Sequence, residues 1–397
     1  MTFSSALGSR LLDHLDRELA AAIELRHELH ATPELAHAER GTGRAIARWA
    51  ATLHEPVAGT GLLMDVGDAA LPRVVVRAEL DGLPIREQTG APFAATNGAM
   101  HACGHDVHAA ALVALVRAAQ RMGTELPARL TALFQPSEEA YPSGAALVAA
   151  EGALGDDVTA VVGAHVHPDL DWGSVALDAG PINASSDTVR IRVRGTGAHA
   201  AYPQTGRDAI LGMSGVLLAL QVAMARRLDP LGAAVLSIGR VRAGETENVI
   251  PPLAEAKGTL RALREEDRTH ATETLRDVTA TTAAAYGCEG TAEVERGAPA
   301  LVNDASLVAT GRALLAEHGW TLAPEWRSLG ADDLSYYGTI APVAMAFVGL
   351  AGAPGFKARA LHHPEFLPPD EAVAAVARAQ AALYLAAVSR RPGGIPT

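Results

Sequence analysis

Arg73-Val74-Val75-Val76-Arg77-Ala78-Glu79-Leu80-Asp81 is a short run of β-branched residues that ends in two carboxylates. Two similar apolar runs, Leu130–Phe134 and Ala160–Ala164, follow it along the chain. Continuous apolar strands of this kind suit a sheet that is covered on both faces, because neither face can be left in water. A helical pattern at Val107–Met122 separates the first two runs. The alternation predicts an α/β domain with a mostly parallel sheet.

The same style of sequence occurs before and after this region. Apolar residues at helical spacing, and one more apolar strand near the end, extend the α/β pattern. These predicted elements are helices at Leu11–Leu29, Gly41–Leu53, Ala305–Gly319 and Pro369–Val388, and a strand at Val343–Val348.

The pattern changes near Pro181. Val189–Arg194 alternates strictly between apolar and charged residues, as a strand with one wet face does. The elements that follow give the order β-α-β-β-α-β, which is the ferredoxin-like plan of an antiparallel sheet backed by helices. They are a helix at Asp208–Arg227, strands at Ala233–Val241 and Ala254–Ala262, a helix at Glu265–Tyr286 and a strand at Thr291–Glu295. We therefore expect residues 183–297 to form a ferredoxin-like domain inserted into a larger domain made of residues 1–182 and 298–397.

Side chains that can bind metal or transfer protons follow each of the three predicted strands. Glu79 and Asp81 follow the first, Glu138 and Glu139 the second, and His165 lies at the end of the third. In open α/β sheets, ligands bind beyond the carboxyl ends of the strands, so these side chains are expected to converge on one crevice.

His101-Ala102-Cys103-Gly104-His105-Asp106-Val107-His108 adds three imidazoles and a thiol to this inventory. The chain has only two cysteines, Cys103 and Cys288, so it has no disulfide framework to build. A cysteine flanked by histidines then reads as a metal ligand or a nucleophile. Together with a pair of carboxylates, it indicates metal-assisted hydrolysis. Asp106 and His108 are interpreted as the start of the following helix, with aspartate as a capping residue, and are left out of the ligand set.

Composition excludes several other classes of function. The formal charge is −12, and no long run of Lys or Arg is present, which argues against nucleic acid and anionic membrane as partners. The N-terminus has no signal-peptide pattern, and no stretch of about 18 uninterrupted apolar residues predicts a membrane span. With two cysteines, these features predict a cytoplasmic protein. A Pro- and Gly-rich tail is expected at Arg390–Thr397.

The ordered motifs of the chain resemble those of one family. It resembles the metal-dependent amidohydrolases, metallopeptidase-like enzymes that include aminoacylases, hippurate hydrolases and hydrolases of auxin–amino acid conjugates. The resemblance is carried by Arg26–His30 with Pro33–Leu35, Arg77–Pro84, the His101–His108 segment, Glu138-Glu139, Gly163–His165, Gly197–Ala201, Asn248–Pro251 and Leu361–Pro364. It implies hydrolysis of the amide of an N-acyl amino acid to a carboxylic acid and a free amino acid.

The resemblance also implies the metal site. Two divalent metal ions would be held by Cys103, His105, Glu139, His165 and His362, with Cys103 as the bridging thiolate. His363 competes with His362 for the last position. A mixed set of S, N and O ligands suits Zn, Mn, Co or Ni and does not choose among them.

Glu138 and Asp81 would complete the catalytic machinery. By resemblance Glu138 is the general base, which takes a proton from the attacking water and later protonates the leaving amine. Asp81 either orients a ligand imidazole or simply forms a turn before Gly82, and the sequence favours neither interpretation.

The inserted domain would bind substrate and a second subunit. By resemblance His199, Asn248 and Arg261 contact the scissile carbonyl or the substrate carboxylate, with His199 acting either in its own subunit or in that of a neighbour. The resemblance implies a homodimer, or a higher homo-oligomer, and the alternating strand Val189–Arg194 is expected to offer an edge for it.

Three alternative functions follow from the same residues. A dipeptidase or aminopeptidase could use the same metals and base and differ only in recognising a free amine. A non-catalytic binder of metal or acylated amino acids would not need Glu138. A hydrolase with Cys103 as nucleophile would keep its activity in the presence of a chelator.

Two residues depart from the pattern usual in the family. Ser137 replaces the usual alanine, and Glu79 the usual aspartate. These departures bear on substrate identity more than on reaction type.

Overall fold

The structure is a computed structural model that describes residues 5–389. The predicted tail at Arg390–Thr397 lies outside the described residues. The chain divides into two compact units. The first contains the residues up to Gly180, Val302–Trp326 and the residues from Tyr336 onward, and the second contains Pro181–Leu301 and Arg327–Ser335.

Residues 5–389 form eight α-helices and sixteen strands, some of them very short. The helices are α1 (Ser5–Ala31), α2 (Arg40–Ala50), α3 (His105–Met122), α4 (Gly144–Ala150), α5 (Ala209–Arg227), α6 (Glu265–Ala285), α7 (Ala305–Glu317) and α8 (Glu371–Ser389). The strands of the first half are β1 (Glu55–Val57), β2 (Gly61–Val66), β3 (Arg73–Glu79), β4 (Arg129–Gln135), β5 (Val158–Asp171), β6 (Ser174–Ala176), β7 (Gly180–Asn183) and β8 (Asp187–Arg194). Those of the second half are β9 (Ala198–His199), β10 (Ala234–Ala243), β11 (Val249–Ile250), β12 (Leu253–Ala262), β13 (Glu289–Glu295), β14 (Leu301–Asn303), β15 (Thr321–Leu322) and β16 (Val343–Ala351).

A mixed sheet of eight strands, in the order β1-β2-β4-β3-β5-β16-β6-β15, forms the centre of the first unit. Its middle is parallel: β4 pairs with β3, β3 with β5, and β5 with β16, all in the same direction. Every residue of β3 is buried, as expected for a strand that is covered on both faces. The predicted α/β fold with a mostly parallel sheet is confirmed.

The helices of this unit pack around the sheet through an aliphatic core. The core is rich in Ala, Val and Leu, because small side chains allow α1, α3 and α8 to approach one another and the sheet closely. Nearly all of α3 is buried, so the helix that starts just after the cysteine–histidine motif is held on all sides. This fixation matters because α3 carries His105 at its first position.

The edges of the sheet differ from the sequence-based expectation. β2 was not predicted, yet it pairs antiparallel with β4 and separates β4 from the edge strand β1. Its short run Leu62-Leu63-Met64 is bounded by Gly61 and Asp65, which leaves too few residues for a clear periodicity.

The second unit has the predicted β-α-β-β-α-β order, built from β8, α5, β10, β12, α6 and β13. Its antiparallel sheet has the strand order β10-β12-β8-β13, which is that of the ferredoxin-like plan. The expectation that Val189–Arg194 offers a free edge is wrong, because β8 pairs with β12 on one side and β13 on the other. Among the described strands of this sheet, β10 and β13 lie at the edges.

Two helices, α5 and α8, are long and apolar enough to cross a membrane by length and composition alone. The apolar window of α8 is 78% buried inside the first unit, where a core helix has the same composition. α5 packs Val216 and Leu220 into the core of the second unit and exposes other apolar side chains. Length and composition are therefore weak evidence for a membrane span here.

A buried ion pair in the second unit gives a stability prediction. Arg268 donates to both carboxylate oxygens of Asp187, at 2.8 and 2.5 Å, and Gly297 N–H donates to the same carboxylate. Arg268→Ala leaves the buried carboxylate without its cation, and we expect the free energy of unfolding of this unit to fall by about 3 to 5 kcal/mol. The matched control is Arg190→Ala, which removes the exposed pair with Glu295 and should cost less than about 1 kcal/mol. Urea unfolding of both variants checks this, and equal losses would contradict it.

Candidate metal centre and active site

The polar residues near the carboxyl ends of the parallel strands in the first unit lie at one edge of the sheet. Glu79 is the last residue of β3, and Gln135 is the last residue of β4, directly opposite it in the register. His165 lies on β5 beside Phe347 of β16. The loop after β4 then brings Glu138 and Glu139 to the same edge, and the loop before α3 brings Cys103.

The bend between Cys103 and His105 requires glycine. Gly104 has φ +87, and a Cβ at this position would lie 2.6 Å from Cγ2 of Val166 on β5. Any larger residue would have to push the bend away from the sheet, against both the backbone preference and the close contact. Gly104 therefore sets how closely Cys103 and His105 approach His165.

The structure brings together all five residues that the resemblance implied as metal ligands. Ligand atoms of Cys103, His105 and Glu139 lie within 4.8 Å of one another. Cys103 Sγ is 3.5 Å from His165 Nε2, and Glu139 Oε1 is 3.1 Å from His362 Nε2. The five side chains thus form one continuous cluster that comes from four separate segments of the chain.

Hydrogen bonds fix the orientation of two of the imidazoles. His105 Nδ1 lies 2.8 Å from the backbone oxygen of Asp81, and His165 Nδ1 lies 2.6 Å from that of Val166. Because a carbonyl oxygen only accepts, each Nδ1 carries a hydrogen, and Nε2 is the ring nitrogen that each histidine turns towards the cluster. His105 Nε2 is buried and has no hydrogen-bond partner among the described residues.

The pocket is electrostatically unfavourable for a lone thiolate. Burial raises the pKa of the Cys103 thiol, and the carboxylate of Glu139 raises it further. Burial likewise lowers the pKa of His165, whose neighbours His108 and His105 add to the effect. A divalent cation would reverse the balance at the thiol, since thiolate and carboxylate offset its charge.

These atoms fit a divalent metal centre. A sulfur, three imidazole nitrogens and a carboxylate are donors that Zn and its neighbours in the first transition series accept. Although His362 Nε2 lies close to it, the buried Glu139 Oε1 accepts no hydrogen bond from the described residues, and His105 Nε2 in the same cluster has no such partner either. Buried polar atoms without partners are costly unless something else coordinates them, so the cluster fits metal ions as its missing partners.

Asp81 contacts both the histidine and the glutamate segments. Its Oδ2 accepts the backbone N–H of Glu139 at 2.9 Å, and its Oδ1 lies 3.5 Å from His105 Nδ1. Burial would raise the pKa of Asp81, but His105 and the backbone N–H groups of Glu139 and Glu138 outweigh it and lower the pKa. Asp81 thus makes the contacts expected of a residue that orients a ligand imidazole.

His108 lies behind the cluster, where both of its ring nitrogens have partners. Nδ1 donates to Glu79 Oε2 at 2.9 Å, and Nε2 accepts the backbone N–H of Val166 at 3.0 Å. Glu79 also accepts from Arg77. His108 is therefore a structural residue that links α3 to β3 and β5. His363 is engaged locally as well, because its Nδ1 accepts the N–H of Glu365.

Asp106 does not cap α3, and the capping interpretation is wrong. The N-cap position is Gly104, and no side chain caps this helix. Instead, Asp106 Oδ2 accepts from Arg26 Nε at 3.1 Å and from His30 Nδ1 at 2.9 Å. His30 also contacts Glu87, with its Nε2 at 3.1 Å from Oε1. The aspartate next to the proposed ligand His105 is thus held by a buried ionic network.

The Arg26–His30 motif does not by itself reveal this network. The available signal was a pair of basic residues four positions apart on α1, Arg26 and His30, each directly following a buried leucine, Leu25 or Leu29. Charged residues on a core-facing helix surface require partners, so the pattern indicated buried carboxylates but could not identify them.

In the second unit, His199 and Asn248 are neighbours. His199 pairs with Val249 in a short β9–β11 ladder, and Ala200 N–H donates to the Asn248 carbonyl. Both side chains are exposed. Arg261 lies on β12, is partly buried and donates to the Leu329 carbonyl at 3.1 Å. His199 and Asn248 therefore form one surface of this unit, whereas Arg261 belongs to its sheet.

The comparisons with known proteins identify the family. Residues 75–386 match the family described as peptidase family M20/M25/M40, and the chain belongs to this family. The N-acetyl-L-cysteine deacetylase of Bacillus subtilis (strain 168) is 34% identical over 368 residues, which are 91% of this chain and 86% of that protein. The N-acetyldiaminopimelate deacetylase of Streptococcus sanguinis (strain SK36) is 31% identical over 365 residues, 88% of this chain and 94% of that protein.

A solved structure agrees with this placement. The Bacillus subtilis YXEP protein, described as a dinuclear metal binding peptidase from the M20 family, superposes with a TM-score of 0.82 at 31% identity, covering 93% of this chain and 98% of that one. The predicted family resemblance and the predicted fold are both confirmed.

The buried network around His30 predicts a pH-dependent stability. Burial alone would lower the pKa of His30, but the carboxylates of Asp106 and Glu87 raise it to about 9. His101, which also faces His30 across 6.5 Å between ring centres, stays neutral because burial lowers its pKa to about 4. Since the folded pKa of His30 exceeds the unfolded one, its contribution is complete below about pH 6.5 and is lost as pH rises through about 9.

We therefore expect the free energy of unfolding of the metal-free protein to fall by about 2 to 3 kcal/mol between pH 7 and pH 10 through this group. His30→Gln should be less stable at pH 7 and should show a correspondingly flatter dependence over the same range. His318→Gln changes an exposed histidine and is the control. The measurement is urea unfolding at several pH values, and parallel curves for wild type and His30→Gln would refute the assignment.

Proposed function

We propose that this chain is a dinuclear metal-dependent amidohydrolase that cleaves the amide bond of N-acyl amino acids and releases a carboxylic acid and a free amino acid. The observation that carries the proposal is the cluster of Cys103, His105, Glu139, His165 and His362 at the carboxyl ends of parallel strands. Membership of the M20/M25/M40 peptidase family makes the chain a hydrolase. The names of its deacetylase relatives support an acetyl group, or another small acyl group, on the substrate.

The five clustered residues would hold two divalent metal ions. When bound, the metals supply Lewis acidity for the amide carbonyl and lower the pKa of a water molecule. The protein's part is to hold the donors in place: Asp81 receives the Nδ1–H of His105 through its carbonyl and the N–H of Glu139 through its carboxylate. Asp81 is thus proposed to orient one ligand from each of two segments.

Glu138 is proposed as the general base and general acid. It follows Ser137 on the loop after β4, is half-buried, and is adjacent in sequence to the ligand Glu139. Because its neighbour faces the cluster, Glu138 is close enough for its charge to raise the pKa of Cys103. A carboxylate there can take the proton of the attacking water and return it to the leaving nitrogen.

We propose that the second unit acts as a lid and dimerisation domain. Its His199, Asn248 and Arg261 would bind the free α-carboxylate of the substrate, because arginine is suited to a bidentate contact. A homodimer is supported by the apolar side chains that α5 exposes, among them Leu218 at 73% and Val222 at 63%. The cytoplasm remains the proposed location.

The first test is turnover on a substrate panel. Metal-free protein reloaded separately with Mn, Zn, Co or Ni is assayed for amine release from N-acetyl, N-benzoyl and long-chain N-acyl amino acids, with unmodified dipeptides alongside. We expect hydrolysis of acylated amino acids that a chelator abolishes. Cleavage of dipeptides alone would move the assignment to a peptidase, and activity that survives chelation would favour Cys103 as a nucleophile.

The second test separates an enzyme from a binder. Glu138→Gln should lower kcat by about 10² to 10⁴ fold, because it removes proton transfer but no metal donor. Metal content, measured by atomic emission, should stay at the wild-type value. Glu125→Gln, which changes an exposed carboxylate paired with Arg10 on the surface, is the control and should keep full activity. Full activity in Glu138→Gln would refute the assignment of the base.

A further inference from the structure

The residue that precedes the two glutamates has a left-handed backbone. Ser137 has φ +52, a conformation that costs free energy for any residue with a side chain. It persists only where the surroundings determine it. The peptide group that follows Ser137 leads directly into Glu138 and Glu139, so the conformation of Ser137 sets the direction in which the chain carries both glutamates away from β4.

A buried carboxylate binds the backbone at this position. Ser137 N–H donates to Glu39 Oε1 at 2.8 Å, and Thr60 Oγ1 donates to the other oxygen, Oε2, at 2.6 Å. Glu39 is fully buried. It stands at the N-cap position of α2, yet its side chain caps nothing on that helix. The Glu39 carboxylate therefore does not cap its own helix. It binds the backbone of a residue 98 positions away.

The rest of the loop is closed by neighbours with little freedom. Gly144 N–H donates to the Ser137 carbonyl at 2.8 Å, and a Cβ on Gly144 would lie 1.7 Å from the carbonyl oxygen of Pro136. Ser137 Oγ lies 3.0 Å from His37 Nε2. At the far end, the N–H of Glu139 is held by Asp81. The segment Ser137–Glu139 is therefore held at its first residue by Glu39 and at its last residue by Asp81.

We propose that Glu39 is a positioning residue for the Glu138–Glu139 pair. By accepting the Ser137 N–H, it holds the left-handed backbone that directs Glu139 into the donor cluster and leaves Glu138 beside it. Glu39 has no role in the chemistry itself. Its consequence for metal binding depends only on Glu139 being a donor, whereas its consequence for turnover rests on the proposed function.

The first measurement is metal affinity, by competition of Zn²⁺ or Mn²⁺ between the full-length protein and a chromophoric chelator. Glu39→Ala removes the acceptor, so Ser137 can relax to negative φ, and we expect affinity to fall about 10- to 100-fold, as for the loss of a residue that orients a donor. kcat should fall with it, while KM changes little. Thr60→Val removes the other donor to Glu39 but keeps the Ser137 contact, and should change affinity less than threefold.

The decisive experiment is a rescue at residue 137. Glycine adopts positive φ without penalty, so Glu39→Ala combined with Ser137→Gly should regain at least tenfold of the lost affinity. Glu39→Ala combined with Ser137→Ala keeps the penalty and should regain none. A purely structural role for Glu39 predicts lower stability with unchanged affinity, or equal behaviour of the glycine and alanine double variants. Either result overturns the proposal.

Two further comparisons keep the test decisive. If Glu39→Ala does not fold, Glu39→Asp takes its place, because it keeps the charge but withdraws the carboxylate by one methylene group, and the same rescue by Ser137→Gly is expected. If the wild type binds metal but hydrolyses no acylated amino acid, the proposed function fails while the affinity comparison still decides the role of Glu39. If the wild type hydrolyses them and Glu39→Ala binds metal normally, only this inference fails.

Discussion

Glu79, Gln135 and His165 reach one edge of the sheet because β3, β4 and β5 run in the same direction and are hydrogen-bonded neighbours. Parallel pairing requires long crossovers, and here those crossovers contain α3 and the Cys103 segment. The same constraint therefore sets both the fold and the site: each crossover starts at the carboxyl edge, so its first residues are available there for chemistry.

The cluster at that edge combines groups that are costly to bury together. Imidazoles, a thiol and carboxylates sit in a largely apolar unit, and some of their polar atoms have no partner among the described residues. Behind them, each charge is matched: Glu79 by Arg77 and His108, and Asp106 by Arg26 and His30. The charged groups behind are thus paired with opposite charges, whereas Glu139 Oε1 and His105 Nε2 in front have no hydrogen-bond partner among the described residues. This asymmetry is what a metal centre requires, because only the front donors should be left for cations.

The sequence was informative wherever the relevant signal was local. The alternation in Val189–Arg194 and the β-branched run before Glu79 each depend on neighbouring residues, and the predicted elements formed. Long-range partners were not readable. Asp106 resembled a helix cap, but its partners Arg26 and His30 lie 80 and 76 residues away. Likewise, the pattern of Val189–Arg194 showed one wet face but not which strands would pair with its two sides. Pairing is a property of the whole sheet, and the wet-face pattern is the same for a central strand and an edge strand.

Three of the five described non-glycine residues with positive φ lie around the site. Among the described non-glycine residues with positive φ are His37, Ser137 and His362, of which the first two contact each other through Ser137 Oγ. His362 is held by its own N–H, which donates to the Ala102 carbonyl beside Cys103. Each of these residues gives up backbone free energy that the surrounding hydrogen bonds must offset. A fold that only needed to be stable would relax these positions. These strained backbone conformations occur in the two loops that carry the glutamates and His362. We infer that this part of the structure maintains the direction of those side chains more than the packing of the loops.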